Sequence, residues 1–173
     1  DEEKYKRTHC ISVGSPEGWN YTVDLNRGAL IQAWRGQFAN VTEMWYERGE
    51  PQLLFPAGLN VRVSGKSSLA MLENANAAWP DSSDINFLGY KIDPQGLPGF
   101  RYAIGSATVN DQLTPAGNSL SRTFRVEGTP KGTLYSLLAS GNRIVEIEKG
   151  LYQVEAATSV DMETKSLNVT ITE

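Results

Sequence analysis

Residues 21–34 read YTVDLNRGALIQAW. Tyr21, Val23 and Leu25 alternate with Thr22 and Asp24, the two-residue period of a strand with unlike faces rather than the 3.6-residue period of a helix. Asn26, Arg27 and Gly28 then supply turn chemistry, and a second apolar run follows, so the stretch predicts a β-hairpin. Continuing through 29–38, strict alternation puts Leu30, Gln32, Trp34, Gly36 and Phe38 on one side and Ala29, Ile31, Ala33, Arg35 and Gln37 on the other. Both faces carry apolar groups, which predicts a central strand with Trp34 in the core. Gly36 marks a bulge or a close approach of another backbone.

The same grammar recurs along the chain. INFLGYKIDPQGLPGFRYAIG (85–105) is a second hairpin, with Asp93, Pro94 and Gly96 placed first, second and fourth in a type I turn. VNDQLTPAGNSLSRTFRV (109–126) is a third, with TPAGN (114–118) as its loop. In the closing third, SGN (140–142) and EKG (148–150) punctuate strands, and Leu167, Val169 and Ile171 alternate with Asn168, Thr170 and Thr172. Only KSSLAMLENANAA (66–78) offers a helix, capped by Ser67 or Ser68, and it reads equally as a strand ending in a loop. No repeat of fixed period appears, which argues against a propeller or solenoid. The expectation is an all-β fold: an antiparallel β-sandwich of about ten or more strands, with at most one short helix, in a single domain spanning 1–173.

Composition narrows the function classes. Hydrophobic residues are 40% of the 173 and charged residues 21%, enough apolar material for a core. The net charge is −4 and the only basic cluster is KYKR at 4–7, so a nucleic-acid partner is not expected. No apolar run reaches the ~20 residues that a membrane span needs. The chain opens on the charged DEEKYKR rather than a signal peptide, as a mature secreted protein or an excised fragment would. A single cysteine, Cys10, excludes an intrachain disulfide, a cysteine zinc site and an iron–sulfur cluster. In THCISV (8–13), alternation sets His9, Ile11 and Val13 opposite Thr8, Cys10 and Ser12, and Cys10 is expected as a small buried hydrophobe. His9 is the only imidazole, so a histidine-rich metal centre is excluded. No cofactor is expected; calcium remains open through the oxygens of DSSD (81–84) and NDQ (110–112), expected in loops.

The candidate site lies in NVTEMWYERG (40–49). Read as a strand, it places Val41, Glu43, Trp45 and Glu47 opposite Thr42, Met44, Tyr46 and Arg48. Trp45 then shares a side with two carboxylates, which predicts a water-facing rim position. Pyranose rings present apolar C–H faces and polar edges, so a sugar site needs an aromatic plate ringed by forked polar groups. Glu43, Trp45, Tyr46 and Arg48 supply those types, as do Trp79 and Tyr90 beside Asp81, Asp84 and Asp93. The same residues also read as structural ring–charge contacts. Acid/base chemistry would need two facing carboxylates, and Glu43/Glu47 and Asp81/Asp84 are the nearest pairs in sequence.

Several phrases occur in order: RTHCISVGSPEGWNYTVDLNRGALIQAWRGQF (7–38), MWYERGEP (44–51), AAWP (77–80) and FLGYKIDPQGLPGFRYAIGSATVNDQLTP (87–115). Together they resemble an all-β domain of large exported bacterial proteins, of Bacteroidetes and Planctomycetes type. Those proteins also carry c-type cytochrome modules, sugar-dehydrogenase-like propellers or other carbohydrate-processing modules. The resemblance covers about residues 7–127 and brings no catalytic residues with it. It implies a periplasmic or extracellular setting and a longer parent chain whose neighbours handle sugars or electrons. The expected function is a non-catalytic accessory domain, which binds a carbohydrate or docks to a neighbouring domain of the same polypeptide, without membrane insertion. The alternatives are an enzyme on sugar derivatives, with carboxylates drawn from Asp24, Glu43, Glu47 and Asp93, and a packing module for a haem domain.

Overall fold

The computed structural model describes residues 7–46, 54–63, 65–74, 76–80, 84–129, 132–139, 144–148, 151–154, 157–161 and 166–172. In chain order the strands are β1 (Cys10–Gly14), β2 (Trp19–Asp24), β3 (Ala29–Asn40), β4 (Phe55–Arg62), β5 (Leu69–Leu72), β6 (Ile85–Ile92) and β7 (Pro98–Ile104). There follow β8 (Ala107–Ala116), β9 (Ser119–Glu127), β10 (Thr133–Ala139), β11 (Ile144–Glu148), β12 (Leu151–Val154), β13 (Ala157–Asp161) and β14 (Ser166–Thr172). One helical turn, α1 (Glu43–Tyr46), lies between β3 and β4. The all-β expectation holds.

Among the described residues three sheets form, ordered β1-β2-β3-β4-β12-β11, β13-β10-β5 and β14-β9-β8-β7-β6. Neighbours pair antiparallel, except β12, which runs parallel to β4. The three expected hairpins are β2–β3, β6–β7 and β8–β9. The 93–96 turn closes as anticipated: the Gly96 amide donates to the Asp93 carbonyl at 3.0 Å, and the Asp93 carboxylate accepts from the amides of Gln95 and Leu97. The β8–β9 loop is tighter than TPAGN, because Ala116 already pairs with Ser119. Gly117, at φ 57°, and Asn118 make the turn, and Thr114 and Pro115 belong to β8. Of the two readings of 66–78, the strand holds: β5 ends at Leu72, and a turn closes from the Ala77 amide to the Asn74 carbonyl.

Period-two alternation decides which side chains go inside. β7 alternates buried with half-buried residues from Pro98 to Ile104, and β8 and β9 follow the same rhythm over most of their length. Two clusters result. Trp19, Tyr21, Val23, Leu30 and Ala33 of the six-stranded sheet pack on Ile85, Phe100, Tyr102, Leu113 and Leu120 of the five-stranded sheet. Farther along that same inner face, Ile104, Ala107, Val109, Phe124 and Val126 pack on Leu69 and Leu134 of the three-stranded sheet. The five-stranded sheet is therefore the common floor beneath the other two.

β3 is central, between β2 and β4, and Trp34 is fully buried, as its two apolar faces required. The close approach expected at Gly36 is present. A Cβ there would lie 3.2 Å from the Gly58 Cα on β4, and a Cβ on Gly58 would collide with the Arg35 carbonyl. The accompanying bulge falls just after it, between Gln37 and Ala39.

Cys10 is a correction: it is exposed. It starts β1, the edge strand of its sheet, on the face away from Ile11 and Val13, which alone lean on the core. His9 does not share their strand face; at φ 63° it precedes β1. Partial covering and then the charge of Asp24 push the Cys10 thiol pKa up.

Candidate functional site

Residues 41–46 are not a strand. Asn40 ends β3, and its side-chain oxygen accepts from the Thr42 amide at 3.0 Å and the Thr42 hydroxyl at 2.6 Å. The Thr42 carbonyl then accepts from the Trp45 amide at 3.1 Å, closing one helical turn. Short polar side chains that bond the local backbone compete with strand pairing, and here they stop β3. The water-facing position expected of Trp45 holds through this different geometry. Trp45 is 76% exposed and Tyr46 82%.

The tip of the β3–β4 connection is anchored from below. The buried Trp34 indole N–H donates to the carbonyls of Gln37 and Phe38 at 3.1 and 2.6 Å, so the bulge satisfies the polar edge of the core tryptophan. The bulged Phe38, 41% exposed, stacks on Trp34 with centroids 6.0 Å apart. Asn40 pairs with Phe55, itself 47% exposed, where β4 begins. Four large exposed rings thus belong to this one connection, with Phe38 resting on a core residue.

The other predicted residues do not join them. Trp79 is half-buried and donates its indole N–H to the Ser67 carbonyl at 2.9 Å, tying the segment before β6 to the start of β5. Tyr90 is 53% exposed on β6, the edge of the five-stranded sheet, where its ring meets Phe100. Among the described residues, Trp79 and Tyr90 make no ring contact with each other. The Glu43 side chain, Glu47 and Arg48 lie outside the described residues, as do residues 81–83 of DSSD.

Of the carboxylates nominated for acid/base work, Asp24 and Asp93 are held in local structure, and Asp84 is exposed without its pair partner among the described residues. Asp24 is buried, pairs with Arg7 at 3.2 Å and accepts the Asn26 amide. Asp93 accepts the two amides of its own turn and the Gln112 amide group at 3.3 Å. NDQ (110–112) is a second correction: it is part of β8, not a loop. Asn110 and Gln112 point outward, while Asp111 points into the core at 1% exposure.

Asp111 meets a residue that sequence reading did not single out. Arg122 on β9 is 6% exposed and grips Asp111 with both arms of its fork, Nε to Oδ1 at 2.9 Å and Nη2 to Oδ2 at 2.6 Å. Nη1 donates to the Ser68 hydroxyl at 2.8 Å and Nη2 to the Gly28 carbonyl at 3.1 Å. The guanidinium therefore bonds its own sheet, the β2–β3 turn of the second and the residue before β5 of the third. Burial alone would lower its pKa; the Asp111 charge and hydrogen bonds more than offset this and raise it, so it stays a cation. The phenols of Tyr21 and Tyr102 are held far above their usual range by burial and then by the Asp111 charge. Neither phenol oxygen has a hydrogen-bond partner among the described residues. The cluster is sealed, and its chemistry is cohesion of the three sheets.

The five-stranded sheet also carries a polar trough on its outer face, over β7, β8 and β9. Its two depressions, of about 290 and 170 Å³, share Asn110, Gln112 and Arg125. Sequence reading missed it; the signal was the polar set Arg101, Asn110, Gln112, Thr123 and Arg125, each one position from a core residue.

No family model matches the chain, and no match was found for it among curated proteins or solved structures. No helix in the described residues is long and apolar enough to cross a membrane.

Proposed function

We propose that this is a non-catalytic accessory domain of an exported carbohydrate-active or cytochrome-linked protein, which binds a carbohydrate through the tip of the β3–β4 connection. The observation that carries the reading is the exposure of Trp45 and Tyr46, consecutive on one helical turn. Each aromatic ring offers on the order of 150–250 Å² of surface, and leaving two of them in water is costly unless something covers them. A pyranose C–H face is such a cover, while its hydroxyls reach the polar rim. The roles found for Asp24 and Asp93 support binding rather than acid/base catalysis. Phe38 and Phe55 favour a second reading, a neighbouring module docked on the same tip, because they add apolar surface with no polar handle. A periplasmic or extracellular setting belongs to the proposal.

The test is a glycan-array screen with neutral oligosaccharides, followed by calorimetric titration of the best binder into the chain and its Trp45→Ala and Tyr46→Ala variants. The expected result is saturable binding that weakens about tenfold or more in each variant, the scale of one lost stacking contact of about 1.4 kcal/mol. Undiminished binding in both variants rules the tip out as the sugar site. Self-association of the chain that Trp45→Ala abolishes supports docking instead.

A further inference from the structure

We propose that the outer trough on β7–β8–β9 is a separate binding site, for the carboxylate or sulfate groups of an acidic oligosaccharide. The register sets Arg101, Asn110 and Arg125 side by side across three strands. Strands are ~4.8 Å apart, so the two arginines leave the sheet about 10 Å from each other with an amide between them. One row along, Lys91, Gly99, Gln112 and Thr123 are aligned in the same way.

Three features mark a site rather than an ordinary wet face. First, Lys91, Arg101 and Arg125 have no hydrogen bond or ion pair from their side chains among the described residues, although the chain is acidic overall. Second, the two carboxylates at the margin are already engaged by amides: Asn110 donates to Glu127 at 3.0 Å and Gln112 donates to Asp93 at 3.3 Å. Neither carboxylate forms an ion pair with a cation among the described residues, so the cations keep their donors for an outside anion. Third, the floor is Gly99. Its φ is not in the left-handed region and the one close atom is the movable end of a side chain, so glycine there serves to keep the floor open rather than to relieve the backbone. A Cβ at 99 would sit 2.5 Å from the Gln112 side-chain oxygen that lies across it.

The chemistry of the lining selects the ligand. Guanidinium forks bind planar carboxylates and sulfate esters with paired hydrogen bonds, and amides and threonine hydroxyls suit sugar hydroxyls. The separation of the two arginines matches charges carried about two pyranose rings apart on an extended chain. No aromatic ring lines the trough, so the stacking platform of single-strand nucleic-acid binders is missing.

The experiment titrates the intact 173-residue chain with oligogalacturonate, with dextran sulfate and with neutral dextran, each at low and at physiological salt. Saturable binding of either acidic probe, weakened by salt, is the expected result, and any binding of neutral dextran at the tip should be insensitive to salt. Which acidic probe binds tells carboxylate from sulfate recognition. Arg101→Gln and Arg125→Gln should each weaken binding at least tenfold, and Gly99→Val should do the same by filling the floor. Trp45→Ala should leave it unchanged, so this site and the aromatic tip fail or succeed separately. The proposal is overturned if neither acidic probe saturates the chain, if the arginine variants bind as the parent does, or if single-stranded DNA binds as tightly as the acidic glycans.

Discussion

The two faces of the five-stranded sheet use the same residue types to opposite ends. On the inner face of β9, Arg122 makes four hydrogen bonds, to a carboxylate, a hydroxyl and a carbonyl, and lies 4.5 Å from the Phe124 ring. On the outer face of the same strand, Arg125 is exposed and bonds none of the described side chains. The far face of the six-stranded sheet, which carries the buried Trp34 and is itself largely buried, shows the third possibility. There Ser12, Thr22, Gln32 and Asn60 bond one another in a line across β1, β2, β3 and β4. Polar groups that close on each other hold a sheet together. Polar groups left open on a well-ordered sheet are available to a ligand. The difference separates scaffold from surface.

The inner cluster offers the largest effect. Asp111→Ala leaves a buried guanidinium without its countercharge, and breaking such a pair from one side costs about 3–5 kcal/mol. That is a large share of the ~5–15 kcal/mol stability of a typical domain, so the chemical-denaturation midpoint should fall steeply. The paired change Asp111→Leu with Arg122→Met removes both charges and should recover most of the loss. Full recovery is not expected, because the Ser68 hydroxyl and the Gly28 carbonyl lose their donor. A loss under about 1 kcal/mol for Asp111→Ala would break the contrast between the faces.

Alkaline titration gives a smaller effect with a definite sign. In the folded chain Tyr21 and Tyr102 hold their protons to higher pH than in the unfolded chain, where a phenol ionises near 10. The folded state therefore binds more protons above that point. Stability from this source is intact below about pH 10 and declines as pH rises, by up to about 1.4 kcal/mol per pH unit for each phenol. The tyrosinate absorbance of the folded chain should rise by fewer groups than the seven tyrosines present, with the missing ones appearing only on unfolding. Tyr21→Phe combined with Tyr102→Phe should flatten the decline.

Much of the fold was legible because alternation is a local signal. Residues 98–104 announce their faces without reference to any partner, and the turn at Asp93 follows from backbone preferences alone, whereas β2 is buried on both faces, polar Thr22 and Asp24 included. The Asp111–Arg122 pair was also written there. Asp111 falls between Val109 and Leu113, and Arg122 between Leu120 and Phe124, so period two puts both inside. What no local signal supplies is that the two meet, since that depends on the β8–β9 register. The α1 turn was illegible for another reason: Asn40 and Thr42 capture the backbone with bonds that alternation ignores. Trp79 and Tyr90 looked like one aromatic patch because they are close in sequence, yet one is tied to β5 and the other rides the β6 edge.

The smallest effect is the sharpest test of the comparison. Arg101→Ala and Arg125→Ala, on the outer face, should each change unfolding free energy by no more than about 0.5 kcal/mol, the usual range for surface positions outside any bonded network. Two arginines on one strand, three positions apart, would then differ roughly tenfold in their effect on stability while sharing composition, strand and sheet. The expected result separates the outer arginines from the fold and leaves them free to act on a ligand. A loss above about 1.5 kcal/mol in either variant would mean that the outer arginine is bonded into the structure, as Arg122 is, and the trough would lose the open cations on which its ligand depends.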